Sequence, residues 1–327
     1  SHCALLHHRP GPGSLPPASF DDLLHSVAWR HVAPGIRHKR ITGLTDHGPI
    51  HVNVLATRDA RFQAIDCREE GRKVSLESVA VRENASAAVS GGFFLYSEAD
   101  IAPPSRRTDP VGLLIDDGML LNPPVLQRAS LLQSQNRTTQ IQRIGPVGAS
   151  IRWQEGDWIT ITAHNVSPCP TQVTTYNRAW GLMAPAAPTG WNIATVGTTI
   201  TAVAQTELPI DLAGLVIHVP HTEPPPVGSA MSWLLPTLDG KEPIHNAMAG
   251  GPLLLSDGEL CISRPSEDFV DTAPPVTFSR DETFDQNLLP RMASGIDAEG
   301  MVYFAAIDGR NFYKAPGMTL AQTAQWM

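Results

Sequence analysis

The sequence predicts an α+β fold: strand-rich mixed sheets with few, short helices, in a single domain. Three observations predict it. Beyond residue 122 the chain runs in short apolar–polar alternations, at Thr139 to Ile144, Asp157 to Ala163, Trp191 to Val203 and Leu215 to Val219, which is the period of a strand. Helix-spaced apolar faces occur in only a few short stretches. No internal repeat and no low-complexity tract appears beyond one Pro-rich arm and one Pro-rich loop, so strands and brief helices pack around an ordinary core.

The elements follow in chain order. Residues 1–29 make an arm and a short helix. Arg9-Pro10-Gly11-Pro12-Gly13-Ser14-Leu15-Pro16-Pro17 can hold neither a helix nor a ladder. Phe20 to Trp29 puts Leu23, Leu24 and Val27 on one face, which predicts the helix. Residues 30–327 form the main domain. Ile50, Val52, Val54 and Ala56 alternate with His51, Asn53 and Leu55, a half-buried strand with His51 toward solvent, and Arg61 to Asp66 continues its sheet. Ser75 caps a helix through Arg82 with Leu76, Val79 and Ala80 inward. Ala87 to Phe94 is a buried strand running into a diglycine. Gly112 to Ile115 turns at Asp116-Asp117-Gly118 into Met119 to Leu121. Met231 to Leu235 forms a short helix. Residues 264–290 are a long, acidic, aperiodic loop, suited to a lid or a substrate-side role. Thr319-Leu320-Ala321-Gln322 opens a last helix with a capping box, its inner face Leu320, Thr323, Ala324 and Met327.

Hydrophobic content of 42% against 17% charged residues lets 327 residues bury a real core, in one large domain or two. The net charge of -8 and the scatter of Arg and Lys argue against a nucleic-acid partner. No apolar run approaches the roughly 18 residues of a membrane span. Cys3, Cys67, Cys169 and Cys261 stand too far apart for a zinc site. One or two disulfides in an exported protein, or four buried thiols in a cytosolic one, fit them equally. His218 and His221 fall on opposite faces of a strand, and His7-His8 lack ligand partners at useful spacing. No metal and no cofactor are expected.

Chemistry-bearing residues gather in three stretches. Ala293 to Asp297 and Met301 to Ile307 form a hairpin about Asp297-Ala298-Glu299-Gly300, and the second strand delivers Asp308-Gly309-Arg310 at its exit. The other two are Ser90-Gly91-Gly92-Phe93-Phe94 and Ala249-Gly250-Gly251-Pro252-Leu253. Diglycines let backbone approach closely and expose N–H groups that can cradle an anion. The competing reading of the hairpin exit is a surface turn closed by an Asp–Arg pair.

The order of these motifs, with Pro290-Arg291 before the hairpin, Thr174-Thr175-Tyr176-Asn177-Arg178-Ala179-Trp180-Gly181 mid-chain and Gly317-Met318-Thr319-Leu320 at the last helix, resembles the phosphodiester glycosidase family over roughly residues 30–327. The chain departs from the family pattern at Ser90, where the family has Asn, and at Met292, where it has Thr. It also lacks the family's Asp-Gly-Gly-Gly-Ser before Met327. The resemblance implies a hydrolase of a sugar-1-phosphodiester or related glycosidic bond. Arg310 and Arg291 would hold phosphate, and Asp308 would be the working carboxylate. Ser90, Gly91, Gly92, Gly250 and Gly251 would meet the substrate, with Glu98 as a second carboxylate, and all would line one cleft. It also implies a carbohydrate or sugar-phosphate partner and a secreted or periplasmic setting with the signal peptide removed. The missing motif implies a companion C-terminal fragment of the same precursor. The alternative, favoured by Ser90, Met292 and the missing motif, is a non-catalytic glycan- or phosphate-binding descendant.

Overall fold

The computed structural model describes residues 19–66, 68, 74–95, 106, 108–238, 240–269 and 286–327. The first sheet joins the two ends of the chain. Its strands run Arg30–Ala33, Ile36–Thr45, Gly48–Thr57, Val302–Ile307 and Arg291–Ile296 in spatial order, all antiparallel. The C-terminal hairpin thus forms as the sequence predicts, with Val302–Ile307 an interior strand. Ile307 faces Val52 on one side and Arg291 on the other. Ile41, Val52, Ile307 and Met318 are buried under this sheet, and Leu23, Leu24 and Trp29 close the cluster. Each such aliphatic side chain contributes about 1.5–3 kcal/mol when fully buried. The helix supplying Leu23 and Leu24 spans Phe20–Ser26, and Ser19 caps it. The last helix, Leu320–Trp326, has the expected capping box, Thr319 and Gln322 bonding each other's backbone.

A second, antiparallel sheet orders Met119–Asn122, Leu114–Asp116, Ile244–Ala249, Arg128–Ser134 and Thr139–Ile144. A third orders Ala163–His164, Thr174–Tyr176, Gly214–Val219, Trp191–Val196 and Thr199–Ala204, and is mixed because its first pair is parallel. Ile151, Ile161, Ile193, Ile200, Leu215 and Ile217 fill the core between this sheet and a three-stranded one at Ser150–Trp153. The fold is a single strand-rich α+β domain. No helix among the described residues is long and apolar enough to cross a membrane.

Several elements differ from expectation. Met231–Leu234 is a strand, not a helix. Buried Met231 and half-buried Trp233 alternate with exposed Ser232 and Leu234, and the run pairs with Ser150–Trp153. Trp191 to Val203 is a hairpin rather than one strand, because Gly197 takes φ 56 and turns the chain. Arg61 to Asp66 adds no strand; the Phe62 amide bonds Gln133 Oε1 instead of a ladder carbonyl. Only Phe93–Phe94 of the Ala87–Phe94 run pairs, with Pro110–Val111. In the 75–82 helix no residue is buried, so its expected inner face packs only loosely. The 264–290 loop holds a 3₁₀ turn at Pro265–Glu267; its stretch 270–285, Glu98 and the 1–18 arm lie outside the described residues. Cys169 and Cys261 are free thiols, and Cys3 and Cys67 lie outside the described residues.

Candidate functional site

At the hairpin exit, the Asp308 amide donates to His51 O at 3.0 Å. The Asp308 carboxylate meets His51 Nδ1, and Arg40 Nε donates to His51 Nε2 at 2.8 Å. A guanidinium can only donate, so His51 Nε2 accepts and the ring hydrogen sits on Nδ1, facing Asp308. Asp308 is exposed, and shares an open cleft with Arg40, His51, Asn311, Tyr313 and Lys314. Arg310 does not join it. Its backbone is left-handed at φ 61, and its exposed side chain makes no hydrogen bond or ion pair among the described residues. Arg291 is buried and spent on main-chain carbonyls, Nε to Met318 O at 2.9 Å and Nη2 to Asn287 O at 3.0 Å. It ties the last helix to the hairpin.

The two diglycines lie elsewhere, and together. A Cβ on Gly91 would stand 2.6 Å from Met248 Sδ, and one on Gly92 would stand 3.7 Å from Ala249 O. Gly250 follows at once, its amide donating to Ala129 O at 2.8 Å. Ser90 is exposed on the same stretch. Gly251 takes φ 95, where a Cβ would meet Glu267 Oε1 at 3.2 Å and Phe269 at 3.3 Å. No described contact links this region to the Asp308 cleft.

Around the diglycines the fold assembles a buried charged centre. The 3₁₀ turn and left-handed Asp268, φ 58, insert consecutive Glu267, Asp268 and Phe269. Glu267 is fully buried and accepts from the Ala129 and Leu253 amides, each at 2.6 Å. Both its oxygens therefore serve the backbone, with Arg143 Nε 3.7 Å from one of them. Asp268 Oδ2 accepts from the Gln127 amide at 2.8 Å and Asn177 Nδ2 at 2.9 Å, and lies 3.1 Å from His164 Nε2. Its Oδ1 has no hydrogen bond among the described residues. Burial alone would raise the Asp268 carboxyl, but the His164 hydrogen bond and charge, with the Gln127 and Asn177 bonds, outweigh it and hold the group below the usual carboxylate range. His164 is oriented in turn by Thr175 Oγ1 at 2.8 Å from Nδ1.

Arg128 completes the centre. It opens the buried strand Arg128–Ser134, and it is 0% exposed. Its guanidinium carbon lies 3.6 Å from the Phe269 ring centroid and 4.9 Å from that of Phe93. Nε reaches Glu267 O at 3.4 Å, while Nη1 and Nη2 are buried and make no hydrogen bond among the described residues. Burial pulls the guanidinium down to about 9, more strongly than Asp268 and Glu267 push it up. Two orphaned cationic donors in a sealed site suit a small oxyanion. No cluster of metal-binding side chains occurs among the described residues.

Sequence reasoning found the diglycines and quoted Asn177 in its motif, but missed Arg128, His164, Glu267 and Asp268 as site residues. Arg128 is visible as one arginine ahead of the apolar run Ala129 to Leu132, and Glu267-Asp268 as acids in the loop assigned a substrate-side role. His164 carries no local signal.

Residues 185–327 match the model of the phosphodiester glycosidase family. The resemblance read from the motifs is thereby shown for this part of the chain, short of the wider 30–327 span. No curated protein matches the sequence. Among solved structures, a hypothetical protein from Synechocystis is similar at 19% identity and TM-score 0.55, over 92% of this chain and 55% of that one. An exported protein of Burkholderia pseudomallei, so described, matches at 19% identity and TM-score 0.48, over 85% of this chain and 65% of that one. The zebrafish N-acetylglucosamine-1-phosphodiester alpha-N-acetylglucosaminidase catalytic domain, auto-inhibited by its pro-peptide, matches at 15% identity and TM-score 0.44, over 92% of this chain and 69% of that one. The chain spans about half the length of the Synechocystis protein, and that likeness concerns the fold alone.

Proposed function

We propose, with residues 185–327 matched to the phosphodiester glycosidase family, that the chain is a hydrolase cleaving the C1–O bond of a sugar-1-phosphodiester at the Arg128 centre. The observation that carries this reading is the buried Arg128 guanidinium, two of whose nitrogens make no hydrogen bond among the described residues. In such a cleavage the C1–O bond breaks, the phosphate monoester leaves as an anion while positive charge develops on the sugar ring, and water then forms the new bond to C1. A fixed cation in a sealed, low-dielectric site stabilises that leaving charge far better than one in water. Arg128 takes the phosphate oxygens on Nη1 and Nη2. Asp268, held ionised, offers Oδ1 to the sugar cation or to the attacking water. Glu267 positions the strand start and the Leu253 amide rather than reacting, since both its oxygens are taken. The diglycine backbones at 91–92 and 250–251 leave room for the sugar to approach. Access requires the Phe269 or Phe93 ring to turn aside, an ordinary side-chain motion. The reading carries with it an exported location, in keeping with the family resemblance.

The test is release of free sugar from the methyl phosphodiesters of glucose, galactose and N-acetylglucosamine 1-phosphate. The reading expects turnover of at least one, lost in Arg128→Met. Absence of turnover on all three, with phosphate still bound, would favour a binding protein on the same scaffold.

A further inference from the structure

The cleft beside Asp308 is a separate built feature among the described residues. It is open, with a volume of about 740 Å³, and no residue of the Arg128 centre lines it. Asn311 to Ala315 forms a tight turn on its rim. Asn311 and Ala315 exchange backbone bonds at 3.1 and 2.7 Å, and Asn311 Oδ1 accepts from the Tyr313 and Lys314 amides at 3.3 and 3.2 Å. A side chain that mimics a backbone turn in this way rigidifies it. The rigid turn holds out two aromatic rings, Tyr313 at 95% exposure and Phe312 at 83%. Aromatic rings left in water on a fixed support are contact surfaces waiting for an apolar face with a polar rim.

The floor of the cleft is polar and pre-oriented. Arg40 fixes the His51 tautomer, and His51 Nδ1–H then fixes the Asp308 carboxylate. Asp308 Oδ1 and Asn311 Nδ2 keep no protein partner among the described residues, one an acceptor and one a donor. Asp308 accepts from hydroxyl donors, while Arg40 and Lys314 on the same lining donate to hydroxyl oxygens. One aromatic face, one acceptor and one amide donor, held by a rigid turn, match a pyranose: C–H groups on one side, hydroxyls around the edge.

We propose that this cleft is a saccharide-binding subsite separate from the Arg128 centre, taking a neutral sugar whose C–H face stacks on Tyr313 and whose adjacent hydroxyls bond Asp308 and Asn311. The proposal does not rest on the hydrolase reading. The probe is an array of neutral oligosaccharides covering glucose, galactose, mannose, xylose and N-acetylglucosamine linkages, followed by calorimetric titration of the strongest binder. Tyr313→Ala weakens that binder about tenfold or more, and Asp308→Asn weakens it by a similar factor, tenfold being 1.4 kcal/mol. Tyr313 is nearly wholly exposed, so its truncation leaves the fold intact, which circular dichroism confirms. Arg128→Met keeps the affinity. No binding to any glycan on the array overturns the proposal, as does wild-type affinity in Tyr313→Ala. Loss of binding in Arg128→Met also overturns it, by placing the sugar in the deep centre.

Discussion

The turn after Val302–Ile307 and the seat of Arg128 each place charged groups at the end of a strand, yet one is wet and the other sealed. Asp308 is exposed and shares its charge with His51 and water. Arg128 is 0% exposed, its cation faced by two aromatic rings and with two donors that make no hydrogen bond among the described residues. The difference teaches where strong electrostatics can be built. An exposed pair is worth little, because water and salt screen it. Burial costs the Arg128 cation more than Asp268 and Glu267 return to it, and an anion that arrives offsets more of that cost. The conspicuous motif, Asp308-Gly309-Arg310, occupies the wet place. The sealed place is made by residues distant in sequence.

The largest expected effect separates the two directly. Arg128→Met lowers turnover of a sugar-1-phosphodiester at least about a hundredfold, and its melting temperature falls as well, since buried Glu267 and Asp268 lose a neighbouring cation. Asp308→Asn lowers turnover by less than about tenfold, consistent with a group outside the reacting centre. A hundredfold loss at Asp308 with little loss at Arg128 would invert the comparison and return the chemistry to the hairpin exit.

Asp268→Asn comes next, with about a hundredfold loss in rate and a signature in stability. The folded carboxyl is held below its ordinary value. Its contribution is therefore present above the unfolded pKa of about 3.9 and fades as pH falls through the depressed folded value. Urea midpoints measured from pH 7 down into acid should drop more steeply for the wild type than for the Asn variant. Parallel curves would show that His164 and Asn177 do not stabilise the ionised form.

A smaller effect tests the fit of the centre. Gly251→Ala puts a Cβ at φ 95 against Glu267 and Phe269, which costs about 1–2 kcal/mol and lowers turnover through the displaced turn. Thr319→Ala, at the far side of the first sheet, removes a cap worth about 1 kcal/mol and leaves the rate per folded molecule unchanged. Chemical denaturation of both variants checks the order.

The fold was largely legible in the sequence because its signals are local. Alternation marked Ile50 to Ala56 and Thr139 to Ile144, the turn Asp297-Ala298-Glu299-Gly300 between two short runs marked the C-terminal hairpin, and Thr319 with Gln322 announced the last helix. Met231–Leu234 was misread because four residues satisfy either period, and pairing with Ser150–Trp153 decided between them. The site was legible only where a backbone need leaves a mark, as at Gly91-Gly92 and Gly250-Gly251. Arg128, His164, Asn177 and Asp268 meet across separations of 13 to 140 residues through sheet pairing and one inserted turn, and pairing partners leave no mark in the local sequence.

The central claim is that Arg128 is an anion seat. Its most direct measurement is the shift in melting temperature on adding inorganic phosphate or a sugar 1-phosphate to the wild type and to Arg128→Met. A ligand that binds only the folded state at about 100 times its dissociation constant adds about 2.7 kcal/mol. The account predicts a concentration-dependent rise in the wild type and none in Arg128→Met. An equal rise in both proteins, or a rise abolished instead by Arg310→Met, would contradict it.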